Sequence, residues 1–131
     1  NSYSNIEMKV IEGNKTIKRL KGTADSLLLD VPCSGLGVLR RNPDTKWKVS
    51  QKSLNEVREL QKTILQDYSK MLKPGGKMLY STCSILPSEN ENQVEHFISQ
   101  NSDFKLLKQR TLYPTRPGYD GFFMALLEKV N

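Results

Sequence analysis

The chain has 131 residues, 37% hydrophobic and 26% charged, enough for one compact domain and too few for two. Twenty Lys and Arg against fourteen Asp and Glu give +6, a balance that favours polyanionic partners. No run nears the roughly 18 apolar residues of a membrane span, the opening Asn1-Ser2-Tyr3-Ser4-Asn5 lacks a signal-peptide layout, and two cysteines with one histidine exclude a disulfide scaffold, a four-cysteine zinc site and most histidine-based catalysis. The expectation is a soluble cytoplasmic protein without a metal. Because it begins at Asn, the chain reads as cut from a longer protein.

In chain order, the pattern alternates short apolar strands with amphipathic helices, the grammar of an α/β fold. Glu7–Ile11 is expected to be a strand, ended by Glu12-Gly13-Asn14. Ala24–Val31 contains Leu27-Leu28-Leu29, a continuous apolar run that predicts a strand buried on both faces and stopped by Pro32. A glycine-bearing loop, Cys33–Ser50, follows. From Arg40 to Lys52 it carries Arg40, Arg41, Lys46, Lys48 and Lys52 against Asp44 alone, a basic stretch around Trp47 that suits either an RNA backbone or a solvated loop.

The next element is a helix in which Leu54, Val57, Leu60, Ile64, Leu65, Tyr68, Met71 and Leu72 recur at helical spacing. Ser53 with Glu56 predicts a capping box at its start, and Lys73-Pro74-Gly75-Gly76 its end. Lys77–Ser81 is the following strand. Ser88 with Glu91 predicts a second capping box, opening a helix that turns Val94, Phe97 and Ile98 inward. A short strand, Phe104–Leu107, a 14-residue loop, Lys108–Gly121, and a last strand, Phe122–Lys129, antiparallel to its neighbours, complete the chain.

Strands joined by a helical crossover are parallel, right-handed and adjacent, so Asp30–Cys33 and Thr82–Ser84 should share the carboxyl edge of the sheet. Open α/β sheets bind ligands at that edge, and the 108–121 loop should overhang it. Either cysteine alone is as well explained by packing as by chemistry. Two at adjacent strand ends are harder to assign to packing, and a thiolate is a strong nucleophile.

Asp30-Val-Pro-Cys-Ser-Gly, Arg40-Arg-Asn-Pro-Asp-Thr-Lys-Trp, Gln61, Lys73-Pro-Gly-Gly, Tyr80-Ser-Thr-Cys-Ser, Glu89-Asn-Glu and Asp120-Gly-Phe-Phe occur in that order. From about Ala24 to Lys129 the chain resembles the catalytic half of the Sun/Fmu family of S-adenosylmethionine-dependent RNA cytosine-5 methyltransferases. The resemblance implies a partial Rossmann-like class I methyltransferase sheet, mostly parallel with an antiparallel last strand and flanked by helices. It implies ribosomal or transfer RNA as partner and S-adenosylmethionine as cofactor. It also makes Cys83 the nucleophile that adds to carbon 6 of cytosine, Cys33 the group that assists breakdown of the adduct, and Asp30 the acceptor that holds the base. DNA cytosine-5 methyltransferases differ, their attacking cysteine following proline.

Carbon 5 of cytosine is a poor nucleophile until a group has added at carbon 6, so a cysteine thiolate suits the task. A carboxylate capping the loop remains the other reading of Asp30. On the cofactor side the resemblance points to Asn14, where the family usually has an adenine-contacting aspartate, and to Asp30. On the RNA side it points to Arg40, Arg41, Lys46, Trp47 and Lys48. Val31 stands where the family commonly has alanine. The family's glycine-rich cofactor loop and second-strand acid should precede Asn1, so residues 1–131 are expected to be the C-terminal part of a catalytic domain, inactive alone. Gly35-Leu36-Gly37 and Gly75-Gly76 do not complete a dinucleotide fingerprint. A non-catalytic RNA-binding domain of the same fold is the alternative. A thiol redox protein is disfavoured by the fifty-residue spacing of the cysteines.

Overall fold

The computed structural model describes residues 5–11, 13–38, 50–114 and 120–130. After the short helix α1 (Lys15–Arg19), β1 (Ala24–Asp30) leads through a 3-10 turn at Leu36–Val38 to α2 (Gln51–Tyr68). Then come β2 (Leu72–Thr82), a 3-10 turn at Pro87–Glu89, α3 (Glu91–Gln100), β3 (Phe104–Leu112) and β4 (Phe122–Lys129). The four strands form one sheet in the order β1-β2-β4-β3. β1 and β2 are parallel, and β4 runs antiparallel to both β2 and β3. Three strands therefore point one way and the last against them, as expected.

Helices α2 and α3 cover one face. Leu65, Val94 and Phe97 pack there against Leu29, Met78, Tyr80, Phe123, Ala125 and Leu127, all buried. Phe97 meets Phe104 edge-on with centroids 4.9 Å apart, a favoured aromatic geometry. The inward face expected of α3 is observed, with Val94 and Phe97 buried and Ile98 packed against the cluster.

Several boundaries differ from the sequence reading. Residues 7–11 join no strand ladder among the described residues, and Ile6, Met8 and Val10 are exposed. β1 is not buried on both faces: the helices cover only the face that carries Leu29, which is 5% exposed, whereas Leu28 on the other face is 66% exposed. On α2, Leu60 faces outward and the polar Gln61 is fully buried.

The capping box of α2 is Ser50 with Ser53, not Ser53 with Glu56. Ser53 N–H donates to Ser50 Oγ at 3.1 Å and Ser50 N–H to Ser53 Oγ at 2.8 Å, so a hydroxyl returns the bond that a glutamate commonly supplies. Nor does Ser88 cap α3. Asn90 occupies the N-cap position, but its side chain accepts from Thr82 Oγ1 at 2.6 Å and donates to Ser84 O at 2.8 Å, tying the helix start to the end of β2.

Lys73-Pro-Gly-Gly lies inside β2. Ala24 pairs with Leu72 and Ser26 with Lys77, so residues 73–76 bulge opposite Asp25, with Gly75 supplying a left-handed φ of 84°. β3 runs on to Leu112, beyond the expected end at Leu107, because its pairing with β4 continues to Leu112 opposite Phe122.

Candidate active site

β1 ends at Asp30, but Val31 N–H still donates to Ser81 O at 3.1 Å, carrying the pairing one residue further before Pro32. β2 ends at Thr82. The parallel register, Asp30 opposite Ser81, therefore delivers Cys33 and Cys83 to neighbouring exits. Cys83 N–H points at Cys33 Sγ, 3.3 Å away, and both half-buried cysteines are free thiols. The helical crossover between the strands brings the two together, as the topology argument requires.

Backbone contacts fix the frame around them. Gly37 N–H donates to Cys83 O at 2.9 Å, and Gly121 N–H donates to Gly37 O. Three loops, those after β1 and β2 and the one before β4, thus stack on one another. Only glycine permits this: a Cβ at Gly37 would lie 2.5 Å from Gly121 O and 2.6 Å from Cys83 O. The end of the last loop reaches the crevice edge, as expected of an overhanging segment, although the continuation of β3 shortens it to 113–121.

Each cysteine is followed by a serine, and both serines converge on Glu89. Its carboxylate, fully buried, accepts from Ser34 N–H at 2.7 Å, from Ser34 Oγ at 2.7 Å, from Gln61 Nε2 at 3.2 Å and from Ser84 Oγ. The Gln61 amide also donates to Pro32 O at 2.9 Å, and Tyr80 OH donates to Glu89 O at 2.7 Å. Glu89 and the two glycines are the parts that residue-by-residue reading missed. Glu89 stood within a quoted motif, but an acid three residues after a loop leucine reads as surface.

Burial pushes the Cys33 thiol up from its ordinary range, and the nearby charges of Glu89 and Cys83 push it further. N–H contacts from Gly35 and Cys83 only partly offset them. Cys33 is therefore a protonated thiol at neutral pH.

Asp30 is exposed at the strand end, with Ser81 Oγ 3.5 Å from its carboxylate. Asn14 is elsewhere. It shares a cavity with Lys21, Asp67 and Lys70, while Gly22 N–H and Thr23 N–H bond Lys70 O and Met71 O at the amino edge of the sheet. The length of β1, about 20 Å, separates that edge from Asp30. The two residues expected to hold S-adenosylmethionine thus lie at opposite edges of the sheet. Arg40, Arg41, Lys46, Trp47 and Lys48 lie outside the described residues.

A groove of about 490 Å³ between α2 and α3, lined by Glu59, Lys62, Gln66 and His96 among others, contains neither cysteine. The paired thiols lie at the strand ends instead, and these are the candidate site. Among the described residues no cluster of His, Cys, Asp or Glu could hold a metal ion, and no helix is long and apolar enough to cross a membrane.

Residues 2–128 match the model of the 16S rRNA methyltransferase RsmB/F family. The chain belongs to this family. It is 44% identical over 117 residues to ribosomal RNA small subunit methyltransferase B of Shewanella oneidensis, covering 82% of this chain and 27% of that protein. With the same-named protein of Pasteurella multocida it shares 43% identity over 127 residues, covering 87% of this chain and 28% of the relative. Among solved structures, NSun6 from Pyrococcus horikoshii with SFG superposes with a TM-score of 0.78 at 29% identity, over 93% of this chain and 34% of that one. The chain thus spans about a quarter to a third of the relatives it matches. The sheet is that of this methyltransferase family, in the part that carries both cysteine motifs.

Proposed function

We propose that this chain carries the catalytic cysteines of an S-adenosylmethionine-dependent methyltransferase that modifies carbon 5 of a cytosine in ribosomal RNA. The observation that carries the reading is the pair of free thiols at adjacent parallel strand ends, Cys83 N–H against Cys33 Sγ at 3.3 Å. A single structural cysteine needs no such partner. The names of the bacterial relatives favour ribosomal over transfer RNA. In the same proposal the chain is the C-terminal part of a catalytic domain whose cofactor loop is contributed by another segment. This agrees with the 27% of the Shewanella relative that it matches.

In that reading Cys83, as thiolate, forms a bond to carbon 6 of the ring, and the electron pair displaced from the 5,6 double bond makes carbon 5 nucleophilic. Asp30 accepts a hydrogen bond from the exocyclic amine and holds the ring. S-adenosylmethionine, of which SFG in the Pyrococcus structure is an analogue, supplies the methyl group. The adduct then breaks down: carbon 5 loses its proton, the double bond re-forms, and Cys83 leaves as thiolate. Cys33, whose surroundings favour the protonated form, first gives up its own proton to solvent; the resulting thiolate, made a stronger base by the same surroundings, takes the carbon 5 proton and so restores the resting thiol. Arg40, Arg41, Lys46, Trp47 and Lys48 are proposed to contact the RNA backbone.

The test is a chimera in which residues 2–128 replace the matching part of the Shewanella relative, incubated with small-subunit RNA and radiolabelled cofactor. Label recovered in 5-methylcytidine supports the proposal. Label in another nucleoside removes the cytosine-5 assignment, and RNA binding without label favours the non-catalytic alternative.

A further inference from the structure

Glu89 stands out among the groups that the proposed chemistry does not use. A fully buried carboxylate is costly unless each oxygen is saturated, and here both are: Oε1 receives Ser34 N–H and Gln61 Nε2, Oε2 receives the hydroxyls of Ser34 and Ser84. All four donors are neutral. An apolar core would meet the needs of stability at least as well as a buried charge of this kind, so its use calls for a reason in geometry.

The donors supply that reason. Ser34 follows Cys33, and Gln61 also holds the carbonyl of Pro32, which precedes it. Ser84 follows Cys83, and Thr82, which precedes it, is fixed with Ser84 O to the side chain of Asn90, the residue next to Glu89. Each cysteine is bracketed by anchored residues, and the two brackets meet in one carboxylate.

We propose that Glu89 is the positioning residue of this site, a buried carboxylate that clasps the loop of Cys33 to the loop of Cys83 and sets the separation at which the two thiols work. The catalytic consequence rests on the proposed function; the clasp is a property of the fold. Among the described residues, the charged and titratable groups facing Cys33 are Glu89 from the 3-10 turn, Tyr80 from β2 and Cys83 just after that strand. Removal of the Glu89 charge therefore also eases ionisation of Cys33.

The chain has only two cysteines, so a short bifunctional thiol reagent such as dibromobimane, fluorescent once it bridges two sulfurs, reports on this pair alone. In the 131-residue chain the bridge should form readily. In Glu89→Ala, kept to conditions where circular dichroism shows it folded, bridging should slow by roughly tenfold, since closure depends on thiol proximity. Glu89→Gln, which keeps the volume and one acceptor, should fall between. In a Cys83→Ser background, Glu89→Gln should also lower the pH midpoint for alkylation of Cys33, a change that a merely structural residue would not cause.

Bridging at the wild-type rate in folded Glu89→Ala overturns the proposal, and where that variant does not fold, an unmoved midpoint and wild-type bridging in Glu89→Gln overturn it. Neither readout uses RNA or cofactor. A clasp found in a chain whose chimera transfers no methyl group would leave this inference standing and remove the proposed function, and the reverse result would do the opposite.

Discussion

Alanine at Gly37 should destabilise the chain by about 2–6 kcal/mol, through the loop stack rather than the core. The added Cβ would sit 2.5 Å from Gly121 O and 2.6 Å from Cys83 O, where ordinary contact begins near 3.4 Å. Two backbone segments would have to move by the better part of an ångström. The Gly37 N–H to Cys83 O and Gly121 N–H to Gly37 O bonds would go with them, each worth about 0.5–1.5 kcal/mol. Overpacking adds about 1–3 kcal/mol.

Urea unfolding followed by circular dichroism measures the sum. Gly75→Ala is the control: its φ of 84° strains any side chain, but nothing lies within 4 Å, so only a backbone cost of about 1–2 kcal/mol applies. Gly121→Ala should be partly rescued by Ile85→Ala, because its nearest clash is Ile85 Cγ2, whereas Gly37→Ala meets only backbone and has no such rescue. A Gly37→Ala chain within about 0.5 kcal/mol of wild type would refute the stacked-loop geometry.

The single covered face of β1 predicts opposite outcomes for two adjacent leucines. Leu29→Ala should cost about 2–5 kcal/mol and Leu28→Ser under about 0.5 kcal/mol, and equal losses in urea unfolding would contradict the one-sided burial of β1. Burial raises the proton affinity of both Cys33 and Tyr80 in the folded state, with Glu89 adding to each. Each therefore contributes stability that is complete below its unfolded pKa and is lost as pH rises through the folded value. The urea midpoint should fall above about pH 9, the thiol reference being 9.0, and Cys33→Ala should flatten that fall. A midpoint that climbs in the same range would show the sign to be wrong.

Periodicity was enough to find α3 and its inner face, because Val94, Phe97 and Ile98 bury against a sheet that covers them on one side only. It was enough for the crossover too, since a parallel pair fixes which strand ends are neighbours. It misled where the covering layer decides: Leu27-Leu28-Leu29 reads as doubly buried in any strand, yet the helices cover only the face of Leu29 and leave Leu28 exposed. Local capping rules misled where a side chain had a better long-range partner. Asn90 gives its amide to Ser84 and its carbonyl oxygen to Thr82, and so does not cap α3.

The cysteine pair was legible from motif and topology together. Glu89 was not, because what marks it is convergence of residues 34, 61 and 84 in space, and no spacing along the chain encodes that. Likewise Gly37 and Gly121 signal their role only once their backbones are seen to touch.

The central claim, covalent catalysis divided between two thiols, is tested most directly by trapping. Cys83→Ala and Cys33→Ala are made in the Shewanella chimera, incubated with small-subunit RNA and cofactor, and run on denaturing electrophoresis. In the proposed mechanism attack at carbon 6 needs the Cys83 thiolate and release needs help from Cys33, so Cys33→Ala should accumulate a protein–RNA adduct and Cys83→Ala should form none. An adduct in Cys83→Ala but not in Cys33→Ala would reverse the two roles, and no adduct in either, from a chimera whose unmutated form methylates RNA, would contradict covalent catalysis through this pair.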